Sequence, residues 1–108
     1  MHIQMYYNYI VMIRWNPAKS EGLKKERGVS FQEMIEKGHY LLTLEHTSRG
    51  HQRMMLFDWE GYVWAVPYVV NGEELFLKTM FPSRHYTKRW KRGEFDEKIQ
   101  TDKGREGA

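Results

Sequence analysis

Cysteine is absent from the 108 residues. The chain can therefore form no disulfide, offer no thiol nucleophile and build no thiolate zinc site. That composition fits a reducing cytosol. Proline occurs 3 times, at Pro17, Pro67 and Pro82, so each instance marks a particular place in the chain. No segment combines a basic start, an apolar stretch and a small-residue cleavage site, so no signal peptide is expected. The first 13 residues carry no Asp, Glu, Lys or Arg, yet they are too short and too polar to span a bilayer. There is also no phosphate-cradling glycine loop and no carboxylate pair at a suggestive spacing. The 5 histidines form no helical His-x-x-x-His and no HExxH pair, so neither a metal nor another cofactor is expected.

What is present supports one folded domain. Apolar residues make up 41% and aromatics 15%, enough for a modest core. The net charge of +3 is mild, and its placement is more informative than its size. Residues 84–92 hold Arg84, Lys88, Arg89, Lys91 and Arg92 with no acid, interleaved with His85, Tyr86 and Trp90. Cations for phosphates beside flat rings for bases are the footprint of a nucleic-acid surface. The plainer reading of such a run is a solvated helix face.

Local signals divide the chain into β-α-α-β-β-β-β-α. The tyrosine-rich start leads into a strand over residues 10–15. Met5 and Met12 are internal candidate starts, so residues 1–11 read as an N-terminal extension of a domain over residues 1–93. Asn16 caps a helix that opens on Pro17, runs to Arg27 and closes at Gly28. Ser30 and Glu33 form a capping box for a short second helix ending at Gly38, with Val29 and Met34 as its hydrophobic staple. Strand patterns follow over residues 40–46, 53–59, 62–70 and 74–80. Glu60-Gly61 and Asn71-Gly72 join the last three, the second being a strong hairpin signal. The third of these four patterns is the expected central strand, with Pro67 marking a bulge or an edge. Pro82 and Ser83 open a final basic helix that Gly93 stops. Residues 94–108 read as a polar tail. The expected class is α+β, an antiparallel sheet of four to five strands with the two early helices on one face. The opposite face would stay partly open as a floor for a ligand.

Two boxes in this order resemble the BrnT-type toxin family. The first is Trp15-Asn-Pro-Ala-Lys19 followed by Leu23-Lys-Lys-Glu26-Arg27-Gly28-Val29-Ser30-Phe31. The second is Val66-Pro67-Tyr68-Val69 followed by residues 76–84, Phe-Leu-Lys-Thr-Met-Phe-Pro-Ser-Arg. The resemblance covers about residues 12–92. Gln32 stands where the family commonly has an acid, and His85-Tyr86 where a basic and a small residue are usual. The resemblance implies a compact RelE-like fold and the toxin of a type II toxin–antitoxin pair. Such a toxin is a cytoplasmic ribonuclease that arrests translation. It also implies a cognate antitoxin that binds the toxin in a hetero-oligomer and brings a DNA-binding domain. The alternative is a non-catalytic RNA- or protein-binding module derived from such a toxin.

The residues can be matched to that chemistry. Metal-free RNA cleavage needs a base for the 2′-hydroxyl, a cation for the phosphorane and an acid for the 5′ oxygen. Arg84 suits the phosphorane and His85 the proton transfer. His51 is the complementary proton-transfer candidate. Lys88 lies one turn after Arg84 and completes the catalytic set. Candidate RNA contacts are Lys24, Lys25 and Arg27 at the first helix end, Arg53 and Lys78 on strands, and Arg89 and Arg92 on the last helix. Tyr86 and Trp90 are candidates for base stacking or for core packing. Cations at a helix C-terminus are favoured by its dipole in any case.

Overall fold

Caps and turns set the elements of the computed structural model, which describes residues 12–45 and 52–95. Strand β1 is Met12–Arg14. The Asn16 side chain then accepts hydrogen bonds from the backbone N–H groups of Ala18 and Lys19 and starts α1, Pro17–Arg27. Gly28 ends that helix at φ 86°, a left-handed conformation that favours glycine. The Ser30–Glu33 capping box is closed in both directions at the start of α2, Phe31–Lys37. The expected staple residues Val29 and Met34 are both buried. The Ser20 hydroxyl accepts from the Phe31 N–H at 3.0 Å, which locks the two helices together inside the core.

Strands β2 (His39–Leu44), β3 (Gln52–Trp59), β4 (Tyr62–Asn71) and β5 (Glu74–Leu77) form an antiparallel meander. The sheet order is β1-β5-β4-β3-β2, and β4 is central as its apolar sequence predicts. One pairing corrects the antiparallel expectation. Strand β1 runs parallel to β5, with Ile13 opposite Leu75, so the sheet is mixed. The α1–α2 hairpin carries the chain from β1 to the far edge at β2. Three hairpin reversals then return it beside β1 in the same direction.

The expected strand over residues 74–80 is interrupted. It ends at Leu77 and pairing with β4 resumes in β6, Phe81–Pro82. Pro67 accounts for this break. Its carbonyl accepts from the Lys78 N–H at 2.9 Å, so its ring nitrogen faces the same neighbour and has no hydrogen to give. The β3–β4 register runs unbroken past Pro67, so the irregularity falls on the opposing strand instead of in β4.

The last helix is α3, Arg84–Lys91, and it covers part of the face expected to stay partly open. On one side of the sheet α1 and α2 bury Leu23, Phe31, Met34 and Ile35 against Phe57, Trp64, Val66 and Leu77. On the other side Tyr86 and Trp90 of α3, with Phe95 beyond it, pack against Leu56, Val63 and Ala65. Burial of that apolar patch covers the β4 side of the floor, while Leu41, Leu42, Leu44 and Met54 stay half-buried. Among the described residues no helix is long and apolar enough to cross a membrane.

Candidate functional site

The C-terminal turn of α1 presents Lys24, Lys25 and Arg27. Of these, Arg27 reaches the segment between β5 and β6, where its Nη1 donates to the carbonyl of Met80. Met80 is fully buried just ahead of β6, so that bond fixes the guanidinium over the segment leading into α3. Ser83 then caps α3, its hydroxyl accepting from the Tyr86 N–H, and Arg84 becomes the first helical residue. As a result Arg27 and Arg84 line one open cleft of about 660 Å³. Neither arginine forms an ion pair among the described residues.

The rest of the cleft comes from the β3–β4 hairpin. Trp59 and Tyr62 stand opposite each other across the turn, and alternation along β4 places Trp64 on the same face. All three rings line the cleft, with Glu60, Gly28 and Pro82. Tyr62 is 39% exposed, which leaves ring surface usable for stacking. The turn residues Glu60 and Gly61 sit at φ 53° and 87°. Two positive φ values are the mark of a tight type I′ hairpin. A glutamate there costs roughly 1–2 kcal/mol over glycine. The Asp58 carboxylate accepts from the Gly61 N–H at 2.8 Å and tightens the turn.

The other sequence-selected residues divide into groups. His85 and Lys88 are exposed on α3 beyond Arg84 and do not line the cleft. The His85 ring meets Tyr86 edge-on at 4.8 Å. Tyr86 and Trp90 take the packing role, holding α3 to the sheet. Arg89 and Arg92 both bind Glu94, at 2.7 and 2.9 Å. The Arg89 hydrogen bond, followed by that of Arg92, holds the Glu94 carboxyl below its usual range. The acid-free run of the sequence is thus partly neutralised by the residue that follows Gly93. Lys24 pairs with Glu33 at 2.9 Å, while Lys25 is exposed. Lys78 lies over the Phe76 ring at 5.6 Å. Arg53 pairs with Glu45 at 3.3 Å. It sits near the opposite end of β3 from Trp59, about 20 Å away at roughly 3.3 Å per residue. His51 lies outside the described residues.

Beside Arg53 is Tyr68, which is 6% exposed. Burial pushes its phenol above the ordinary range, against a smaller opposing effect of Arg53. No group of three or more His, Asp or Glu that could hold a metal is found among the described residues.

Sequence reasoning selected Arg27 and Arg84 separately and missed Trp59, Glu60, Tyr62 and Trp64. The available signal was two aromatic residues flanking a Glu-Gly turn. The arrangement offers one anchored cation in Arg27, an exposed one in Arg84, aromatic surface and one carboxylate, which suits a ligand with both phosphate and a flat ring. Comparison with protein-family models, curated proteins and solved structures found no significant match for this chain.

Proposed function

We propose that the protein is the toxin component of a type II toxin–antitoxin pair, a metal-independent endoribonuclease of RelE-like type that arrests translation in the cytoplasm. The sequence resemblance to the BrnT-type family motivates the reading. The observation that carries it is that Arg27 and Arg84, distant in sequence, line one cleft with Trp59, Tyr62 and Trp64. Two guanidinium groups can hold the scissile phosphate in a fork that lysine cannot reproduce. The 2′-oxygen attacks phosphorus, its proton passes to a base, and Arg84 neutralises the charge that builds on the phosphorane. His85, next to Arg84 on α3, delivers a proton to the departing 5′ oxygen. His51 is its proposed complement, and Lys88 adds charge one turn along. The antitoxin, carrying its own DNA-binding domain, neutralises the toxin by covering the cleft with acidic and apolar residues.

The outward position of His85, off the cleft lining and against Tyr86, favours the second reading, a module that binds RNA or its partner without cleaving. One experiment separates the two. Purified protein is incubated with labelled single-stranded RNA, and both retention and fragments are scored. Fragments ending in a 2′,3′-cyclic phosphate support the nuclease. Retention without fragments supports the binding module, and the absence of both retention and fragments overturns an RNA function.

A further inference from the structure

Among the described residues, Glu60 is the one acid lining a cleft that also contains two arginines. Its charge opposes any phosphate, so a cleft serving phosphate alone would do better without it. It also occupies a left-handed position, φ 53°, where glycine or asparagine fits more easily. A non-glycine residue in a left-handed backbone conformation on the lining of a cleft is a pointer to use. Its neighbours Trp59 and Tyr62 place flat rings on either side of the turn that carries it.

A carboxylate has two acceptor oxygens and no donor. Among the RNA bases, only guanine presents two adjacent N–H donors, N1–H and the 2-amino group. Adenine and cytosine place a ring acceptor beside the amino group. Uracil flanks its single N–H with two carbonyl oxygens. A carboxylate therefore accepts two parallel hydrogen bonds from guanine and meets lone pairs on the other bases.

We propose that this cleft is a guanine-selective nucleotide subsite. The base stacks on Tyr62 beside Trp59, its Watson–Crick edge meets the Glu60 carboxylate, and its phosphate lies on Arg27 and Arg84. The inference rests on the reading of the cleft as an RNA site and adds which nucleotide it takes.

The test is a titration of the full chain with 5′-GMP, 5′-AMP, 5′-CMP, 5′-UMP and inorganic phosphate, followed by tryptophan fluorescence. GMP should bind about ten-fold or more tightly than the other nucleotides, the scale of charge-assisted hydrogen bonds gained or lost. Glu60→Gln should bring GMP to within about three-fold of AMP while AMP binding persists, since the glutamine amide offers one acceptor in place of two. Tyr62→Ala should weaken all four nucleotides and leave phosphate unchanged. Equal affinity of the wild-type chain for all four nucleotides overturns the guanine subsite while leaving the phosphate cleft intact. Unchanged GMP preference in Glu60→Gln also overturns it. If neither nucleotides nor phosphate bind, and Arg84→Ala handles RNA as the wild type does, both the subsite and the RNA reading of this cleft fail.

Discussion

Thr87 joins α3 to the central strand through one hydroxyl. Its oxygen accepts the Val63 N–H at 2.8 Å and its hydrogen goes to the Ser83 carbonyl at 2.7 Å. The Ser83 N–H in turn donates to the Val63 carbonyl at 2.8 Å. Both backbone groups of Val63 are thereby satisfied by the first turn of the helix that begins with Arg84. Thr87→Val keeps the shape and removes the acceptor, leaving a buried N–H unpaired. We expect a loss of about 1–3 kcal/mol, read as a lower denaturant midpoint at unchanged slope. Thr87→Ser should recover most of it.

The two arginines should respond differently. Arg84 is exposed, so Arg84→Ala should fold normally and lower RNA cleavage about 10²–10³-fold. Arg84→Lys should restore only part of that rate. Arg27→Ala should weaken RNA binding and also destabilise the fold by about 1–3 kcal/mol, since it orphans the buried Met80 carbonyl. For each phosphate contact removed, the log–log salt dependence of RNA affinity should flatten by about one unit. An unchanged slope in the Arg27→Ala/Arg84→Ala double variant would remove both from the RNA surface.

Proton transfer is tested at His85. His85→Ala should reduce cleavage about 10²–10⁴-fold with RNA binding retained. Full activity in that variant, with His51→Ala inert, moves the role to the segment around His51.

Because the proposed chemistry uses side chains only, cleavage should persist in EDTA. Loss of activity in EDTA, restored by magnesium or manganese, would replace the scheme with a metal-assisted one.

Stability should fall on both sides of neutrality. The Ser30 N–H, then Lys24, holds the Glu33 carboxyl below its usual range. The stabilisation is therefore complete above the unfolded-state value and is lost as pH falls through the lower folded-state value. Glu33→Gln should flatten the acid limb of a Tm-versus-pH curve. Tyr68 behaves in the opposite sense, because burial raises its phenol. Its contribution is complete below the unfolded-state value and is lost as pH rises through the folded-state value. Tyr68→Phe should flatten the alkaline limb.

Some of this structure could be read directly from short stretches of chain. Asn16-Pro17, Ser30 with Glu33, and Gly28 act through hydrogen bonds and dihedrals spanning at most a few residues, so the helix limits follow from local chemistry. The hairpin at Glu60-Gly61 likewise carries its own turn geometry, while the second turn falls one residue later than expected, on Gly72-Glu73, with Asn71 paired to Glu74 as the last residue of β4. The basic segment was visible too. Its division was not, since Glu94 lies just past the run and claims Arg89 and Arg92.

The sequence by itself determined where the helices start and stop, most of the strands, and that cations and aromatic rings abound near the end of the domain. Only the tertiary structure decided that β1 lies parallel to β5, that α3 covers part of the second face, and that Arg27 and Arg84 line one cleft with Trp59, Glu60 and Tyr62. Those outcomes depend on pairing between segments far apart in the chain. Apolar burial and the unpaired side of Pro67 select the arrangement, and no local pattern records it.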